Sequence, residues 1–167
     1  MKYFIKSIFI ICFLFYSFLS AQNKYETESW IIETVSQYPG GPIDNRKLKI
    51  IDGYITYFEK IGDTIFYDRI LIKNIKEIQV LEKYNEDWGN YYSIKLFCKF
   101  KGCNDHGHYI NGTYHNTILE YLANYGDIQI YLNEKFNQHD LPKRMEKALL
   151  HLVKVYGGNA TIKRSAF

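Results

Sequence analysis

The chain has 167 residues, 47% hydrophobic and 17% aromatic, with sixteen tyrosines and a formal net charge of +3. That length supports one domain with a real core. Two of the lysines, Lys2 and Lys6, fall in the first 21 residues, which hold no acid, so the remainder carries only +1 and offers no electrostatic case for nucleic acid.

In chain order, the first segment reads as a leader. Lys2 and Lys6 precede the apolar run "SIFIICFLFYSFLSAQ", and Ser20–Ala21 form a small-residue exit, the three parts of a secretory signal peptide. The apolar run is shorter than the roughly 20 residues a spanning helix needs. The expectation is a signal peptide over 1–21, cleavage before Gln22, and an exported, soluble protein, periplasmic or extracellular, with no stable membrane insertion. Cys12 lies inside the apolar run, followed by Phe13–Leu14–Phe15, and does not read as a lipid-attachment cysteine. The abundance of Ile, Lys, Asn, Tyr and Phe fits an AT-rich, bacterial genome.

Residues 22–158 read as a single β-rich domain, because no Pro/Ser linker, charge block or internal repeat divides them. "ESWIIETV" (Glu28 to Val35) is rich in β-formers and is predicted as a strand. "SQYPGGPIDN" breaks the chain. "RKLKIIDGYITYFEK" gives two strands joined at Asp52–Gly53, a dipeptide that favours a tight hairpin. "TIFYDRILI" and "IKEIQVLEKY" follow as strands, and "NEDWGN" is a loop. "YYSIKLFCKF" alternates, with Ile94, Leu96 and Cys98 on one face. The stretch 113–125 stays open: its spacing suits a helix and its aromatics would also serve a strand, with a short helix or irregular crossing favoured. "GDIQIYLN" alternates again, with Ile128, Ile130 and Leu132 inward. A helix over about 140–156 then carries Leu141, Met145, Leu149, Leu152 and Val153 on one side, with Asp140 as its cap, Pro142 in the first turn and Gly157–Gly158 as its stop. Its basic face reads as solvated surface, and residues 159–167 read as a loose tail.

The cysteines follow from the compartment. Without Cys12 two remain, Cys98 and Cys103, and an even count in an exported chain favours a disulfide. Four intervening residues that include Gly102 suit a hairpin. The alternatives are free thiols, or zinc on Cys98, Cys103, His106 and His108. Zinc sites prefer two residues between cysteines and three to five between histidines, and here a single Gly107 separates the histidines.

Chemistry is thinly supported. No serine lies in a nucleophile-elbow sequence, no phosphate-binding glycine loop is present, and no cofactor motif occurs. Binding is the better class: eight strand or loop tyrosines cannot all enter one small core, and exposed aromatic residues recur in interfaces. The residues favoured for contact with a protein or glycan are Trp88, Tyr91 and Tyr92, in a monomer or weak dimer. A small hydrolase or metal-dependent enzyme is the alternative.

"ILIKNIKEIQVLEKY", "YYSIKLFCKF" and a final helix containing "KALLHLVKVYGG" resemble a group of small exported bacterial proteins with a pleckstrin-homology-like fold. The resemblance spans roughly Trp30 to Gly158. It implies a mainly β, α+β architecture: an antiparallel pleckstrin-homology-like barrel or sandwich of about seven strands with one C-terminal amphipathic helix. It implies no activity, and fold alone supplies none. Inositol phosphates, the best-known ligands of such barrels, would be met by Arg46, Lys47 and Lys49. Those residues sit beside Asp44 and Asp52, and inositol lipids are not expected outside a bacterial cytoplasm.

Overall fold

A computed structural model describes residues 23–40, 46–87, 89–98, 103–110, 113–115 and 127–164. The expected signal peptide over 1–21 therefore lies outside the described residues, as do Trp88 and most of the open stretch 113–125. Of that stretch, Thr113–His115 forms a short strand.

The first element corrects the sequence reading. Residues 23–37 form a helix, α1, where a strand was expected over 28–35. Ile31, Thr34 and Val35 are buried, at 1%, 5% and 5% exposure. Their i, i+3, i+4 spacing turns one helical stripe to the core. The β-branched residues that suggested a strand carry only a weak local preference, which this packing overrides. Tyr38–Gly40 then run along a later strand: Gly40 N–H donates to Tyr131 O (3.1 Å) and Asn133 N–H to Tyr38 O (3.1 Å). A Cβ on Gly40 would fall 2.4 Å from the backbone nitrogen of Leu132, so only glycine permits this approach.

Nine strands follow among the described residues, in two sheets. The first sheet joins β1 (Arg46–Ile51), β2 (Tyr54–Ile61), β3 (Thr64–Leu71), β6 (Asn104–Ile110) and β7 (Thr113–His115), in that order. The second has the order β8 (Asp127–Asn133), β5 (Gly89–Cys98), β4 (Ile75–Asn85) and β9 (Thr161–Ile162). Asp52 and Gly53 both take positive φ, 52° and 80°, as a two-residue hairpin demands. Of the two forms expected, barrel or sandwich, the sheets do not close into a barrel; they form two mostly antiparallel layers.

The expected C-terminal helix is present as α2 (Leu141–Val155). Met145, Leu149, Leu152 and Val153 are at most 1% exposed and join Ile78, Ile94, Ile128 and Ile130 in one apolar cluster. Asp140 is not the side-chain cap that was expected; it stands in the left-handed region at φ 57° and makes no capping bond. Nor is the tail loose through residue 164. Thr161–Ile162 pair in parallel with Glu77–Ile78 of β4, and Arg164 grips the buried Glu146 carboxylate at 2.9 and 3.1 Å.

Cys98 and Cys103 form a disulfide, with Cα atoms 5.9 Å apart. It does not pin a hairpin: β5 belongs to the second sheet and β6 to the first. The bond sits at the corner where the chain passes from one layer to the other.

Candidate functional site

The tyrosines favoured in the sequence are not a surface pair. Tyr92 is 5% exposed and packs edge-on against Phe136, with centroids 5.5 Å apart. Burial first, then its bond to Glu82, pushes its hydroxyl up to about 12. Tyr91 is partly buried beside Tyr131, at 6.0 Å. Strand alternation sends these neighbours to opposite faces, so Tyr92 faces the core. Trp88 lies outside the described residues.

The four residues of the metal alternative are not gathered as ligands. Both sulfurs are bonded to each other, His106 Nδ1 bonds Asp68, and His108 stacks near Phe66 at 5.8 Å. The Asp68–His106 pair resembles the orienting half of a general-base arrangement. However, the distal nitrogen, Nε2, lies 2.8 Å from the Asn104 side-chain nitrogen, which also donates to Asp127 O at 3.2 Å. Both ring nitrogens are thus held by the protein, and this pair ties β3 and β6 to β8. The Asp68 hydrogen bond raises the His106 pKa, against an opposing effect of burial. A second tie lies at the start of β1, where Arg46 bonds Glu59 (2.8 Å) and Gly40 O (2.7 Å) and covers the Tyr131 ring.

The feature with the character of a binding surface is the outer face of the first sheet. Leu48, Ile55, Tyr57 and Ile70 are buried, so the alternate residues of the same strands point away from the core. The register arranges them in rows: Lys47, Phe58, Tyr67 and Gly107; then Lys60, Ile65 and Tyr109; then Lys49, Thr56, Arg69 and Asp105. Tyr67 is the keystone. Its ring lies 6.4 Å from Phe58 and 5.9 Å from Tyr109, tilted by 48° and 40°. It fits because position 107 is glycine, where a Cβ would come within 2.6 Å of the tyrosine ring.

Two hollows open on this face, of about 380 and 270 Å³, and they share Phe58 and Tyr109. They are two ends of one trough. Its first end has a floor of Phe58, Ile65 and Tyr109 with Lys47, Lys49 and Lys60 around it. The other end offers Tyr54, Thr56 and Arg69, the guanidinium lying 4.8 Å over the Tyr54 ring and paired to Asp105. Ring faces for apolar contact, with hydroxyls and cations at the margins, are the equipment of a polar-ligand groove. The sequence contained this signal as lysines at alternate positions of β1 (Lys47, Lys49) and aromatic residues on the same face of β2 and β3 (Tyr54, Phe58, Tyr67). Only cross-strand register brings them together.

No helix among the described residues is long and apolar enough to cross a membrane. Comparisons with family models, curated proteins and solved structures gave no match to this chain.

Proposed function

We propose that this protein is an exported carbohydrate-binding module whose ligand lies along the trough on the outer face of the first sheet. The observation that carries the reading is the tilted array of Phe58, Tyr67 and Tyr109 beneath an open groove. Sugar rings present C–H faces to aromatic rings and hydroxyls to nearby polar groups, and this trough offers both partners. Export is supported by the leader-like first segment and by the Cys98–Cys103 bond, which oxidising compartments sustain. In this reading the frame is an open variant of the pleckstrin-homology-like architecture, with two layers packed by a C-terminal helix. It acts as a monomer or weak dimer. The hydrolase alternative is weaker, because the Asp68–His106 pair has both ring nitrogens engaged within the protein.

The test is affinity electrophoresis of the mature chain through gels containing soluble polysaccharides. Phe58→Ala and Tyr109→Ala should each weaken retardation by roughly tenfold or more, as loss of a central aromatic anchor does. Their circular dichroism should stay unchanged. Retardation by no polysaccharide, or retardation indifferent to both substitutions, would remove the trough from consideration.

A further inference from the structure

Resting on the carbohydrate reading, we infer that the ligand is an acidic glycan whose anionic groups seat at the lysine end of the trough. Lys47 is the direct cross-strand partner of Phe58, Lys49 is diagonal to it, and Lys60 stands two residues farther along β2. Three lysines, two on β1 and one on β2, therefore stand around one ring on the same face. All three residues are exposed, and the Lys49 ammonium lies 5.3 Å over the Phe58 ring.

Among the described residues no carboxylate lines this end, and none forms an ion pair with these lysines. The concentration is local, because the whole chain balances 21 Lys and Arg against 18 Asp and Glu. Like charges held close on one sheet face repel one another, and an anion seated among them relieves that repulsion. The other end of the trough is balanced, with Asp52 beside it and Arg69 already paired to Asp105. The groove is thus polar in direction: acid groups belong at Lys47, Lys49 and Lys60, and uncharged hydroxyls belong at Tyr54 and Thr56.

A single-stranded nucleic acid is the other polymer that joins negative charge to stackable rings. Its bases stack flat on successive exposed aromatic faces, whereas the rings here tilt by 40° to 48° to one another and the central one, Tyr67, is buried. That shape suits puckered sugar rings better than planar bases.

The experiment is isothermal titration of the mature chain with four probes: polygalacturonate, dextran sulfate, neutral dextran and oligothymidylate. Polygalacturonate or dextran sulfate should bind, and the arm that binds tells carboxylate from sulfate. Salt should weaken binding, and the triple variant Lys47→Gln/Lys49→Gln/Lys60→Gln should lose roughly tenfold or more in affinity, the loss expected for charge-assisted contacts. A thermal melt of the triple variant should match the parent, because all three side chains are exposed. Retention of neutral dextran with no preference for the acidic polymers overturns the acidic assignment and leaves the carbohydrate reading standing. Binding of oligothymidylate alone, or of none of the four, overturns both.

Discussion

Replacing Gly107 with alanine tests the trough at its base. Gly107 lies in β6 opposite Tyr67, and it has no positive φ that only glycine could hold. On backbone grounds alone alanine would be the better strand residue, by about 0.5–1 kcal/mol. The contacts say the opposite. The new Cβ would meet Tyr67 at 2.6, 2.7 and 2.8 Å, at Cε1, the hydroxyl and Cζ. Tyr67 is 8% exposed and packed between Phe58 and Tyr109, so its ring must swing outward to make room. Overpacking of that kind costs about 1–3 kcal/mol. The expected net result in urea melts is destabilisation of about 1–2 kcal/mol, with loss of polysaccharide retardation as the displaced ring fills the trough. In a Tyr67→Ala background the same glycine substitution should cost nothing or stabilise, and the cycle of four proteins isolates the clash. If Gly107→Ala stabilised the otherwise unaltered chain, the ring would not lie on the glycine and the described floor would be wrong.

Three further outcomes are expected. Leu149→Ala or Leu152→Ala should cost about 2–5 kcal/mol in urea melts, because both are almost fully buried, whereas the exposed Lys154→Ala should cost less than about 0.5 kcal/mol; equal losses would mean that α2 presents a different face. Cys98 and Cys103 should be oxidised to each other in protein taken from its own compartment, as non-reducing mass spectrometry reports, and reduction should cost about 2 kcal/mol for so short a ring without abolishing folding. His106 has a folded pKa raised above its ordinary value by Asp68, so its contribution is full below the unfolded imidazole pKa and is lost as pH rises through the folded one. Melts should therefore show a fall in stability on crossing that window upward, absent in His106→Gln; a rise would mean that the Asn104 amide holds the ring neutral.

Much of the layer structure was legible because strand alternation is local. Ile128, Ile130 and Leu132 announced an inward face, and Leu149 and Leu152 announced a helical one; both sets are buried. α1 was not legible as a helix because Ile31, Ile32, Thr34 and Val35 are β-branched, and the stripe they form matters only once a sheet is there to receive it. The cysteine pairing could be read from count and the expected compartment. Its place between layers could not, because a spacing of five residues suits a hairpin and a sheet-switching corner equally well. The aromatic trough escaped because Lys47, Phe58, Tyr67 and Gly107 span sixty positions in sequence and become neighbours only through register. Tyr92 misled for a different reason: a tyrosine can bury its ring and still engage its hydroxyl, here with Glu82.

Two short segments, residues 38–40 and Thr161–Ile162, have a shared consequence for self-association. Residues 38–40 lie along the outer margin of β8, and the two residues of β9 lie along the outer margin of β4. Both borders of the second sheet are thereby occupied by the chain's own backbone. An open border is a template on which a second polypeptide can add as another strand, the first step of most sheet-mediated aggregation. Here each stretch is too short to invite further pairing and is fastened by side chains, Asn133 holding Pro39 O at 3.0 Å and Arg164 holding Glu146. Proteolysis just before Thr161 would strip one of these fastenings and expose the margin of β4. Residues 161–164 thus cover the margin of a layer they barely extend.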